Sequence, residues 1–123
     1  MSTALNDVAS SAFLATVLAP ATQSSSPTGS TIDMISADGP CFAVQQVGSF
    51  TADSLLGYIE ESANGSSWAP IDGAEFTEVT AGTNLQVIQF VRSARYVRYA
   101  ATLEGDTPSV AMAVLIGEQK KTL

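Results

Sequence analysis

A chain of 123 residues that is 46% hydrophobic and only 14% charged is too apolar for a disordered segment and long enough for one domain with a two-layer core. A net charge of −7 repels phosphate, which argues against nucleic acid and against an anionic membrane surface as partners. The charge is unevenly placed, because all five cations (Arg92, Arg95, Arg98, Lys120 and Lys121) follow position 91.

Residues 1–12 are small and polar and read as a flexible arm. They lack the basic start of a signal peptide, and no stretch is long enough to span a bilayer, so synthesis in the cytoplasm is expected. Phe13 to Ala19 is rich in strand-forming residues and is expected to close at Pro20. Thr22 to Ser30 is a loop by composition. Thr31 to Ile35 reads as a short strand, with Ile32 and Met34 on one side, and Ser36 to Pro40 as a turn. Cys41 to Val47 alternates in part, Phe42 and Val44 sharing a face, until Gly48 breaks the run. Leu55 to Ser62 is the next strand. Asn64-Gly65 follows it, a strong hairpin signal because both residues tolerate positive φ. The second arm runs from Ser67-Trp68 to Ile71, Asp72-Gly73 gives a further turn, and Phe76 to Thr80 reads as a short strand before the turn at Ala81 to Asn84.

Three long strands complete the chain. Leu85 to Val91 is apolar on both faces, the pattern of a central strand or of one whose outer face meets a partner. Ala94 to Leu103 sets Val97, Tyr99, Ala101 and Leu103 on one face and Tyr96, Arg98 and Thr102 on the other. Val110 to Gly117 aligns Val110, Met112, Val114 and Ile116. About eight strands at regular spacing, with no sustained helical periodicity, predict an all-β, single-domain antiparallel β-sandwich of jelly-roll type over residues 13–117, followed by a tail at 118–123. Its expected core and scaffold include Trp68, Val97, Tyr99, Leu103, Val110, Met112, Val114 and Ile116.

The same residues say little for catalysis. With no histidine, Ser-His-Asp and Cys-His systems are excluded, and the commonest metal ligand is missing. A single cysteine, Cys41, excludes an intrachain disulfide and a cysteine-rich zinc or iron–sulfur site. Without cationic neighbours in sequence, Cys41 reads as a buried small hydrophobe. Glu60 and Glu61 are adjacent on a strand and point to opposite faces, so they cannot flank one glycosidic bond. No catalytic residue, cofactor or metal is expected. One cluster combines cations with aromatics: Arg92, Arg95, Tyr96 and Arg98. Arg and Tyr are favoured anchors of protein interfaces, and the alternative is that these arginines pair with acids of neighbouring strands. A sugar-stacking role for Trp68 and Tyr58, as in a carbohydrate-binding module, is a further alternative.

Three segments carry a resemblance. Glu61 to Trp68 (ESANGSSW) resembles an E-S-x-D/N-G-S-x-W/F hairpin, and Ala94 to Tyr99 (ARYVRY) resembles an R-Y-V/L-R/K strand. With the small-residue strand Ser109 to Gly117 (SVAMAVLIG) and the stretch Leu18 to Met34, the chain is similar to the small β-sandwich cement or decoration proteins of tailed bacteriophages. The hairpin and the Arg-Tyr strand also resemble discoidin-like galactose-binding sandwiches. The phage resemblance implies a virion protein on the capsid exterior that contacts the major capsid protein and neighbouring copies of itself, as a homo-dimer or homo-trimer. A tail or head-completion protein is the other virion role it allows.

Overall fold

The computed structural model describes residues 12–120. Eight strands follow in order: β1 Ala12–Gln23, β2 Ile32–Asp33, β3 Ala37–Thr51, β4 Ser54–Ser62, β5 Ala69–Glu75, β6 Asn84–Phe90, β7 Tyr96–Glu104 and β8 Ser109–Lys120. They form two antiparallel four-stranded sheets, sheet A in the order β1-β8-β3-β6 and sheet B in the order β2-β7-β4-β5. The first strand thus pairs the last, the second the seventh, the third the sixth and the fourth the fifth, the nested order of a jelly roll. Among the described residues there is no helix.

Alternation builds the core. Side chains of a strand point to opposite sides at successive residues, so a strand with one covered face buries every second residue. β8 buries Val110, Met112, Val114 and Ile116, and β7 buries Val97, Tyr99, Ala101 and Leu103 from the opposite sheet. β3 adds Cys41, Ala43, Gln45 and Val47, and β4 adds Leu55 and Ile59. Burying each large apolar side chain contributes about 1.5–3 kcal/mol. Tyr99 spans the layer: its hydroxyl donates to the Gln45 amide oxygen Oε1 at 2.5 Å, over Gly57, where any Cβ would collide with both side chains.

Several local expectations give way to tertiary pairing. Pro20 does not end the first strand. β1 is a sheet edge, so Pro20 removes no ladder donor that must be paired, and it falls within a register shift between Leu18 and Ala21. Of the expected turn Ser36 to Pro40, Ser36 is in a turn but Ala37 to Pro40 lie inside β3, with a register shift between Ala37 and Cys41, and β3 continues past Gly48 through a second shift. Asp72-Gly73 lies within β5, where Gly73 at φ +81° makes a bulge against β4. Phe76 to Thr80 forms a single bridge, Val79 to Leu55, in place of a strand. The run Leu85 to Val91 supplies β6, which is an edge of sheet A and not a central strand. β8 extends through Glu118 to Lys120, into the segment expected as a tail, while the expected arm falls outside the described residues up to its last position, Ala12.

Candidate functional site

The arginine cluster is built from the β6–β7 connection and β7. Arg92 leaves the end of β6 and turns inward. Its Nε donates to Glu118 Oε1 at 2.9 Å, Nη1 to the Ala94 carbonyl, and Nη2 to the carbonyls of Met34 and Ala37. Glu118 is 1% exposed and also accepts the Cys41 thiol at 3.2 Å. One guanidinium therefore ties β8, the start of β3, the end of β2 and its own connection together. Burial and the adjacent Glu118 carboxylate push the Cys41 thiol up to about 12, leaving it neutral. A shallow depression of about 430 Å³ lies beside the knot, lined by Asp38, Gly39, Pro40 and Arg92 among others. Its one guanidinium already has four partners within the chain.

Arg95 and Arg98 are paired as well. Arg95 holds Asp33 through Nε and Nη2 at 2.9 and 2.7 Å, and lies over the half-buried Tyr96 ring at 5.0 Å. That hydrogen bond holds the Asp33 carboxyl down at about 2. Arg98 faces Glu60 directly across β7 and β4, Nε to Oε1 at 2.8 Å. Its guanidinium stacks 4.3 Å from the centroid of Trp68. Trp68, expected in the core, is thus half-buried on the outside of sheet B, with one ring face covered by a cation. Glu61 turns the other way and accepts the backbone N–H groups of Ser93 and Ala94 and the Ser93 hydroxyl.

The expected hairpin joins β4 to β5, but over a wider loop than two residues. Gly65 takes φ +78°, the Ser62 hydroxyl accepts from Asn64 and Gly65, and Asn64 Oδ1 accepts from Ser66 and Ser67. These bonds replace the backbone pairing that a tighter turn would supply.

Of the outer face of sheet A, sequence reasoning reached only the strand Leu85 to Val91 and missed the rest. Residues directly opposite on neighbouring strands form rows across it. One row is Thr16, Leu115, Val44 and Val87; another is Leu14, Gly117, Phe42 and Gln89; a third sets Ala113, Gln46 and Leu85 side by side. None of these side chains is charged. Leu14 is 62% exposed, Leu85 65% and Val87 62%, and Leu115 adds a fourth exposed leucine or valine. Leu14 and Phe42 lean together over Gly117, where a Cβ would meet both. Sheet B presents the contrary surface, with Asp33, Glu60 and Arg98 directed outward. The signal was available in the half-exposed partners of each core residue, but strand order is needed to assemble it.

No group of three acidic, thiol or imidazole side chains able to hold a metal is found among the described residues. No family model and no curated protein sequence matches the chain. Among solved structures the fold is similar to the crystal structure of the SPBc2 prophage-derived protein YomS, with a TM-score of 0.56 over 87% of this chain and 93% of that one at 12% identity, a likeness of fold.

Proposed function

We propose that this chain is a structural protein of a bacteriophage particle, without enzymatic activity, that docks on the outside of the capsid and stabilises contacts between major capsid subunits. The observation that carries this reading is the uncharged outer face of sheet A. Large exposed apolar patches on otherwise soluble domains mark sites of protein contact. With four strands about 4.8 Å apart and about 3.3 Å for each of the seven residues of β6, the face covers about 440 Å², a little over half of the roughly 800 Å² per partner of a standard interface. The fold likeness to a prophage-derived protein supports the phage setting.

The mechanism is mechanical. Covering apolar surface at a joint adds roughly 25 cal/mol per Å² before the costs of association, and that term resists separation of the subunits under internal pressure. The arginine cluster has a scaffolding part in this reading, since each guanidinium has partners within the chain. The test is binding of the purified protein to expanded capsids. Wild type is expected to raise their melting temperature, and Leu115→Glu to bind no capsid while keeping its own stability within about 1 kcal/mol. Decoration confined to a single vertex identifies a tail or head-completion protein instead, and absence of binding to any capsid overturns the reading.

A further inference from the structure

The four sheet edges are not equally protected. An edge strand exposes unpaired backbone groups, and proteins blunt it with proline, bulges, charge or brevity. β1 carries Pro20 and two register shifts. β2 has two residues. β5 carries Pro70, Asp72 and the bulge at Gly73. β6 has none of these devices. Its seven residues, NLQVIQF, pair with β3 in uninterrupted register, and among the described residues no strand pairs with its far edge. Thr77, just after β5, exchanges its N–H and its carbonyl with the Gln86 side-chain amide, at 2.7 and 2.9 Å, and not with the β6 backbone. No charged residue occurs from Val79 to Val91 in a chain of net charge −7.

We infer that β6 pairs with β6 of a second copy, antiparallel about a twofold axis, joining the two A sheets into one eight-stranded sheet. A second copy fits for three reasons. A twofold axis makes any strand edge complementary to itself. The neutral stretch lets two acidic chains approach where neither presents a like charge. The register is fixed by parity, because outward residues must oppose outward residues, so the axis passes through a residue and not between two. Only an axis at Val87 pairs all seven residues; moving it to Gln86 or Ile88 leaves two of them unpaired. Val87 then faces Val87 of the partner copy, and the row Leu115, Val44, Val87 runs on through the axis into the second copy. The inference goes beyond the capsid reading and does not depend on it. Pairing doubles the uncharged face, whatever that face meets.

The test uses the purified full chain without capsids. Light scattering at rising concentration is expected to find twice the 12.7 kDa chain mass. Directly opposed strand residues lie within disulfide reach, so Val87→Cys is expected to cross-link on mild oxidation. Leu14→Cys, equally exposed but on the opposite edge strand, serves as the unlinked reference. Val87→Lys places like charges in opposition and is expected to weaken the dimer by about tenfold or more. Its circular dichroism and melting temperature at low concentration should match those of the monomer. A wild-type chain that stays monomeric, or Val87→Cys linking no faster than Leu14→Cys, overturns the inference. Failure to bind capsids leaves the dimer intact, so the two readings fail separately.

Discussion

Arg92 and Glu118 show how much one residue can depend on another 26 positions away. Glu118 is nearly sealed, so removing the guanidinium leaves a carboxylate with no counter-charge and takes one donor each from Glu118 and the carbonyls of Met34, Ala37 and Ala94. Breaking one side of a buried pair typically costs 3–5 kcal/mol. Arg92→Ala is therefore expected to lose about 3 kcal/mol in urea unfolding, and Arg95→Ala, whose pair is exposed, well under 1 kcal/mol. Tyr99 and Gln45 make a second residue-scale case. The Gln45 Nε2 is buried and without a partner in the chain, so this contact is already incompletely satisfied. Tyr99→Phe removes the remaining bond to the amide and is expected to cost about 1–3 kcal/mol, whereas Tyr99→Phe with Gln45→Leu is expected to recover most of it. A double-mutant cycle in denaturant reads the difference. Cys41 gives a pH dependence. Its thiol titrates near 9.0 when unfolded and near 12 when folded, so the neutral form is the one the fold favours. Its stabilisation is whole below pH 9 and is lost as pH rises toward 12. Burial raises the Tyr99 hydroxyl in the same direction. Melting temperatures are expected to fall across that window, less steeply in Cys41→Ala.

At the scale of elements, the hairpin between β4 and β5 is the part most directly written in the sequence. Asn-Gly announces a reversal because the backbone there must turn through positive φ, and Gly65 does so. An alanine at that angle pays for its Cβ, so Gly65→Ala is expected to cost about 1–2 kcal/mol in equilibrium unfolding, with no effect on the uncharged face. Strand ends were less legible. Pro20, Gly48 and Asp72-Gly73 each carry a local signal to stop, yet each sits inside a strand. Proline and bulges are tolerated where a neighbouring strand is absent or already shifted, and that condition is a property of the pairing, not of the residues. Conversely, Phe76 to Thr80 has strand-like composition, but its amides are divided between the Gly57 carbonyl, a side-chain amide and a single bridge to Leu55.

On the scale of the whole molecule, the nested order makes the fold depend on distant partners. β1 must find β8, and β2 must find β7, with only the β4–β5 pair joined by a hairpin. Non-local pairing of this kind slows folding, because loop closure is costly before contacts form. Refolding is expected on the millisecond-to-second scale or slower in stopped-flow fluorescence of Trp68. The same order makes the molecule two-sided. Strands without charge, β1, β6 and most of β3 and β8, are gathered into one sheet, and the acids and arginines of β2, β4 and β7 into the other.

The sequence by itself determined the class of fold, the position of most strands and which residues of β7 and β8 face the core. A period of two is a local property, and burial on one side of a strand imposes it directly. The lack of histidine likewise excludes imidazole chemistry without reference to shape. What only the tertiary structure decided was neighbourhood. It set Arg92 against Glu118, Arg98 against Glu60 and Trp68, and β6 at an edge. It also laid half-exposed residues from four strands into one uncharged face. Hydrogen bonds between strands carry no sequence label of their own, so register and order emerge from the packing of the two sheets together.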